Sequence, residues 1–341
     1  MKSILGLDIG SHNVKLVELS KDANGTTLLA AGSMPTPPKT TSTNTEIDQQ
    51  ALAHLIRELI KGTGAKSTDV NISFPESQVF TRVIEMPALS TRELTSAIRW
   101  ESEQYIPLPL DQVHMDFTVL SDGKDMANGK MKILLVAAPK ALTERYMQIM
   151  ELAELTPLSA ETEVIALSRS LVRSVPTVPN VMIVSFGAQT TDIAIVRKGI
   201  LTFTRTIAAG GDALTRALSE SLDFTLLQAE AYKKTYGLEK NILEGKIVAV
   251  TKPVMDTIIG EIKRAIGFFE ESYKNEHIGV MLLTGGNAKL PGLIPYFAEH
   301  TGIETQQGNP WVGIRKDPRF AVLNAEGPLF AVAIGLALRE G

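Results

Sequence analysis

The chain has 341 residues, with 34 basic side chains against 38 acidic ones for a net charge of −4. That length exceeds one ordinary core and suits two domains of roughly 150–170 residues. The near balance of charge offers no basic face for nucleic acid or anionic lipid, and the lack of cysteine excludes a disulfide framework and thiolate metal sites. The apolar run at the N-terminus is broken by Asp8, so it fails as a secretory signal. No stretch reaches about 18 uninterrupted apolar residues, and the expectation is a soluble cytoplasmic protein.

Ser3–Ile9 reads as a buried strand, Val14–Ser20 as its partner, and Thr26–Gly32 as a third strand after the hairpin signal Asn24-Gly25. A Pro/Thr/Ser-rich loop, Pro35 to Thr45, precedes the apolar stripe Leu52, Leu55, Ile56, Leu59 and Ile60 of an amphipathic helix. Asp69–Phe74 and Thr81–Met86 read as strands. A different module starts after Pro87, with a helical pattern over Arg92–Tyr105 that stops at Ile106-Pro107. Within it Trp100 reads as core, and Arg92, Arg99 and Glu101 as a solvated face. Val113–Leu120 and Lys130–Ala137 form a hairpin pattern around the turn Asp122–Gly129, and a helix follows near Leu142–Ala153. Glu161–Val172 reads as a helix, and Pro176 and Pro179 mark a boundary.

The next segment repeats the first. A shift of 177 positions carries Asp8 onto Ser185 and Gly10 onto Gly187, and it places Leu16 on Ile193 and Leu19 on Val196. The inward-facing alternation of a strand–turn–strand unit is therefore reproduced. Two such units suit a nucleotide held between similar halves. Glycine lets backbone N–H groups approach a triphosphate, and a carboxylate at a strand end holds magnesium through its waters. Asp8, Gly10, Ser11 and Lys15 supply carboxylate, glycine, hydroxyl and ammonium in that order.

Two later glycine pairs and a Gly-Pro step strengthen the pattern. Gly210-Gly211-Asp212 precedes a helical stretch, Leu214–Leu222. Thr284-Gly285-Gly286-Asn287 follows the apolar strand Gly279–Leu283, and Gly327-Pro328 opens a final helix. A strand running into a glycine pair and a helix start presents N–H groups and a positive dipole end. No Walker-type GxxxxGK occurs, and the five histidines show no metal-ligand spacing. His12, in the first turn, reads as a loop residue.

This ordered set resembles the actin-like ATPases, including actin, heat-shock ATPases, sugar kinases, MreB and FtsA. Asp8–Lys15 resembles their first phosphate loop, Ser185–Asp192 the second, and Thr284–Asn287 the adenosine loop. Within Glu161-Thr162-Glu163, which resembles the first connecting segment, Glu163 falls at the water-positioning residue, with Glu161 as its rival. Leu329–Leu338 resembles the second connecting helix. By the same resemblance Glu230 and Lys233 approach the ribose and adenine, although their spacing alone equally fits a surface ion pair. Arg92–Pro107, Ala229-Glu230, Asn309-Pro310 and Ala333–Leu338 further resemble the type IV pilus assembly protein family PilM.

The resemblance implies an α/β fold of duplicated actin-like (ribonuclease H-like) domains, with a nucleotide cleft between them and an inserted α+β subdomain. The first domain is expected over 1–87 and 157–178, the insertion over 88–156, and the second domain over 179–341, with 215–275 as its smaller subdomain. ATP and Mg2+ are the implied cofactors, with Asp8 holding magnesium through water and Gly10, Ser11, Lys15, Gly187, Gly210, Gly211, Gly285, Gly286 and Asn287 around the nucleotide. The implied partner is the N-terminal cytoplasmic tail of a PilN-like inner-membrane protein, received between the first domain and the insertion. Pilus motor components and self-association are further implied contacts, and the membrane is met only through partners. Superfamily members usually carry aspartate where this chain has Ser185, so hydrolysis is expected to be slow or absent, and Asp192, beyond the turn, is not expected to substitute. The alternative reading is an FtsA-like filament protein of cell division. FtsA ends in an amphipathic membrane helix, whereas this chain stops at Leu338-Arg339-Glu340-Gly341.

Overall fold

The computed structural model describes residues 3–38, 40–41, 43, 45–121, 129–240 and 242–339. Strands β1 (Ser3–Ile9), β2 (Asn13–Asp22) and β3 (Gly25–Pro35) form an antiparallel meander. Helix α1 (Glu46–Thr63) starts at a capping box between Thr45 and Asp48 and ends at Gly64 in the left-handed region. Its stripe Leu52, Ala53, Ile56 and Leu59 is buried with Leu5, Leu7, Val14 and Leu16 of the sheet. Strand β4 (Asp69–Phe74) then runs parallel to β1.

A separate three-stranded unit follows. Strand β5 (Phe80–Pro87), helix α2 (Thr91–Ser102), β6 (Val113–Ser121) and β7 (Lys130–Pro139) build a sheet of order β5-β7-β6. Leu94 and Ile98 of α2 are buried against Ile84, Ile133 and Leu135. The turn expected at Asp122–Gly129 lies, Gly129 apart, outside the described residues. The module therefore begins at Phe80 rather than at 88, because β5 pairs with β7 along its whole length. It ends at Pro139 rather than 156. Helix α3 (Lys140–Leu152) buries Leu142, Tyr146 and Ile149 in the core beneath the first sheet. Trp100, expected in the core, is 79% exposed. It follows Ile98 by two residues, about 200° around the helix from the buried stripe.

Strand β8 (Thr156–Thr162) completes the first sheet next to β4, and α4 (Glu163–Leu171) follows directly. A helix from Glu161 was the sequence expectation. Glu161 and Thr162 are instead strand residues, hydrogen-bonded along β4.

The second half repeats the plan. Strands β9 (Asn180–Phe186), β10 (Thr191–Arg197) and β11 (Ile200–Ile207) form a meander. Helices α5 (Gly211–Leu222), α6 (Leu226–Tyr236) and α7 (Lys246–Ser272) lead to β12 (Val280–Thr284). After α8 (Leu293–Thr301) comes β13 (Thr305–Gln307), giving the order β11-β10-β9-β12-β13. It matches β3-β2-β1-β4-β8 in order and strand direction. Met255, Ile258 and Ile262 of α7 are buried with Met182 and Val184 of the sheet. Only a small cluster around Leu218, Ala229 and Ile247 forms the added helical unit expected over 215–275.

The C-terminal segment is shared between the halves. Strand β14 (Ile314–Arg315) extends the first sheet beside β3. Helix α9 (Gly327–Ala337) packs on β1 and β2 and crosses α4, so residues 314–337 do not belong to the second half alone. The stretch Pro318–Ala337 has the length and apolar composition of a membrane span, although Arg319, Asn324 and Glu326 interrupt it, and α9 is core: ten of its residues are buried. Glycine permits this packing. A Cβ on Gly6 would lie 1.9 Å from the Ala333 carbonyl oxygen, and one on Gly335 would lie 2.0 Å from that of Ala166.

Candidate functional site

The two hairpin turns face a shared cleft of about 360 Å3 between the sheets. In the first, the Gly10 N–H donates to the Asn13 carbonyl at 3.1 Å, and in the second Gly187 N–H donates to Thr190 at 2.9 Å. The shift of 177 positions relates these two bonds. It also relates two cross-strand pairs, Asp8 with Lys15 and Ser185 with Asp192. Strand alternation turns Asp8, Ser185 and Asp192 to the cleft. Asp8 is buried and accepts from Lys15 Nζ at 3.0 Å.

Asp192 is the residue that sequence reasoning set aside. It is buried in the cleft wall beside Ser185, with Thr190 donating to its Oδ2 at 3.2 Å. A carboxylate is therefore present where Ser185 seemed to remove one. It arrives on the adjacent strand. Oδ1 of Asp8 and Oδ1 of Asp192 are both buried without a partner. Such orphaned oxygens suit a hydrated divalent cation that uses one or two carboxylates and keeps its waters. Among the described residues no cluster of three or more acidic or histidine ligands exists, so a cage built from protein ligands alone does not fit.

Glu163 opens α4 and lines the same cleft. Burial first, then the charges of Asp8, Asp192 and Glu76, hold its carboxyl well above the usual carboxylate range. Burial likewise pushes Asp192 up to about 6, against hydrogen bonds from Thr206 and Thr190. The rival Glu161 is engaged elsewhere. Its oxygens accept from Arg169 at 2.6 and 2.8 Å and from Arg339 at 2.7 Å. Glu76, which no sequence motif flagged, lines the cleft behind Glu163 and is pushed by burial and the Asp192 charge to about 7.

At the other end of the cleft, Gly285 takes φ +88° and packs against the Phe186 backbone, where a Cβ would lie 2.7 Å from its carbonyl oxygen. Gly286 faces open space. Asn287 ties this turn to the second hairpin, its side-chain amide donating to the Gly187 carbonyl at 2.7 Å. Gly210 and Gly211 do not line the cleft. The Gly211 and Asp212 N–H groups donate to the carbonyls of Gly187 and Ala188, so neither is free for an anion. Asp212 reaches the cleft instead and meets His12 across it at 3.2 Å.

Glu230 and Lys233 of α6 also face the cleft and do not form a surface pair. Lys233 is 3% exposed, and its ammonium donates to the Gly211 carbonyl at 3.1 Å while pairing with Glu230 at 2.7 Å. Burial alone would raise the Glu230 carboxyl, but hydrogen bonds from Lys233 and Thr215 bring it down to about 2. Of the predicted residues, Asp8, Gly10, Ser11, Lys15, Glu163, Gly187, Glu230, Lys233, Gly285, Gly286 and Asn287 converge on one cleft. Ser11 lies in the first turn, at the cleft mouth.

Two like sheets, opening through matched hairpins on to a common cleft and joined by two crossing helices, define the actin-like ATPase fold. Within it the chain belongs to the type IV pilus assembly protein PilM family, whose model matches residues 6–341. It is similar to the solved PilM-PilN type IV pilus biogenesis complex, at 30% identity and a TM-score of 0.86 over 98% of each chain. Cell division protein FtsA of Streptococcus pneumoniae serotype 2 (strain D39) is 25% identical, over 93% of this chain and 77% of its own. MreB5 of Spiroplasma citri bound to ADP shares the fold at a TM-score of 0.53 and 13% identity, covering 98% and 95% of the two chains.

Proposed function

We propose that this protein is an ATP- and Mg2+-binding scaffold at the cytoplasmic face of the inner membrane, engaging the N-terminal tail of a PilN-like membrane protein. The observation that carries ATP binding is the pair of matched turns with orphaned oxygens of Asp8 and Asp192 between them. Lys15 and the turn N–H groups would meet phosphate, and Gly285, Gly286, Glu230 and Lys233 would enclose the nucleoside. Bound magnesium would neutralise phosphate charge, its waters held by Asp8 and Asp192.

The partner site in this reading is an open groove between the first sheet and the inserted module. Phe74, Met115, Val136, Ala138, Met147 and Ala160 give it an apolar lining, and Asp116, Glu144 and Glu151 edge it with acid. A cytoplasmic tail beside a membrane span is enriched in Lys and Arg, which complements that rim. Binding of a synthetic PilN tail peptide, with and without Mg2+–ATP, tests the whole reading by calorimetry. Absence of ATP binding, or of peptide binding, would refute the corresponding half.

Slow hydrolysis now rests on Ser185 alone, since Asp192 restores a carboxylate to the cleft. The discriminating measurement is turnover of Ser185→Asp. A rise of about tenfold or more in kcat is expected if the missing first-strand carboxylate limits the reaction, and an unchanged rate would sink that account.

A further inference from the structure

Glu76 occupies the point where the chain leaves the first sheet for the inserted module. Strand β4 ends at Phe74, a short 3-10 turn spans Glu76–Gln78, and β5 begins at Phe80. The side chain is 7% exposed and looks inward. It accepts a hydrogen bond from the Val164 N–H at 3.1 Å, in the first turn of α4. Glu163, one residue earlier, faces Asp8 and Asp192 in the cleft.

On its other side Glu76 neighbours the hydroxyls of Thr162 and Thr81. Both hydroxyl oxygens are buried, and neither has a well-formed hydrogen bond. Thr81 belongs to β5, and its carbonyl accepts from Thr204 of β11 at 3.3 Å. Glu76 lines both the cleft and a second cavity between the module and β11. One carboxylate thus touches the helix that carries Glu163, the last residue of β8 and the root strand of the module.

From this geometry we propose that Glu76 is a positioning residue that couples the inserted module to the state of the cleft. The inference rests on the ATP-binding reading. Burial and the charges of Asp8 and Asp192 press on the Glu163 carboxyl with only the Lys15 ammonium to offset them, and a bound cation that neutralises that charge shifts the equilibrium position of the α4 N-terminus. Glu76 is fixed to that N-terminus by the Val164 bond, so it moves with it. Thr81, beside the same carboxylate, passes the displacement to β5 and, through the β5–β7 pairing, to the wall of the acidic groove.

Hydrogen–deuterium exchange of the full chain, with and without Mg2+–ATP, tests this. In the wild type, Mg2+–ATP should alter exchange in the two turns (10–13 and 187–190) and also in 80–87 and 130–139. Thr81→Val should keep the response of the turns and lose that of the module. Glu76→Ala should lose the module response, and Glu76→Gln, which keeps an acceptor for Val164, should restore part of it. If Glu76→Ala does not fold, Thr81→Val carries the test. A module response that persists in Thr81→Val overturns the proposal, as does a wild-type response confined to the turns. No binding of ATP by the wild type would overturn the cleft reading and this inference together, an outcome distinguished by the unchanged turns.

Discussion

Lys233 and Glu230 sit one turn apart on α6, and burial separates their roles. Lys233 is enclosed and bound to a backbone carbonyl of α5, while Glu230, 26% exposed at its side chain, receives Lys233, Thr215 and Lys234. The folded state holds the Glu230 carboxyl near 2 against an ordinary value of 4.5. A depressed carboxyl stabilises the fold at pH above its unfolded value, and that contribution fades as pH falls from about 4.5 towards 2. Glu230→Gln should therefore cost on the order of 1–2 kcal/mol at pH 7, after discounting for solvent screening. The difference in melting temperature from wild type should shrink to nothing in acid. A difference that is independent of pH would assign the loss to packing.

Asp192 has the opposite sign. Its carboxyl is raised to about 6, so ionising it above that pH works against the empty fold, and the penalty disappears below the unfolded value near 3.8. Asp192→Asn should raise the melting temperature without nucleotide at pH 8 and, in the same protein, weaken Mg2+-dependent ATP binding by about tenfold, roughly 1.4 kcal/mol. Equal ATP affinities would remove Asp192 from the metal's surroundings. Residues such as Asp8, Gly10 and Lys15 were legible in sequence because one contiguous hairpin holds them together. Asp192 and Glu76 were not: the first needs the register of β10 against β9, and the second needs the three-dimensional meeting of β4, α4 and β5.

At the scale of elements, amphipathic periodicity located most strands and helices, and it erred where neighbours override it. Helix α2 carries a capping box between Ser90 and Glu93, and its stripe Leu94–Ile98 is buried. Trp100 lies off that stripe, in an open hollow with Met86, Pro87 and Leu89. Size and apolarity suggested core, but angular position decides. Ile98→Ala should thus destabilise by about 2–5 kcal/mol, whereas Trp100→Ala should stay within about 0.5 kcal/mol. Chemical denaturation of the two variants gives the comparison, and a large loss for Trp100→Ala would contradict the exposed placement. The limits of the inserted module were hidden for a related reason. Strand β5 reads like any strand of the first sheet, and only its partner β7, reached 43 or more residues later, assigns it elsewhere.

At the scale of the whole molecule, the crossing of α4 and α9 is the joint between two repeated sheets. Helix α9 touches β1, β2, β4, α4 and β12, and its first turns bring Pro328, Leu329 and Val332 to the cleft that Glu163 of α4 also lines. The repeat was legible because matched turns survive in sequence, whereas the joint depends on Gly335 and the Ala166 carbonyl, far apart in the chain. Gly335→Ala would place a methyl 2.0 Å from that carbonyl oxygen, so the helices must part. Overpacking of this kind costs about 1–3 kcal/mol, or a fall of roughly 1–4 °C in Tm for a protein of this size. Ligand linkage separates local damage from a displaced joint. Mg2+–ATP at about 100 times its Kd should stabilise the wild type by about 2.7 kcal/mol. If α9 and α4 move apart, residues on both sides of the cleft shift, and Gly335→Ala should lose most of that increment as well as its basal stability. A full ATP increment on a lowered baseline would mean that the damage stops at the crossing and that the cleft does not depend on it.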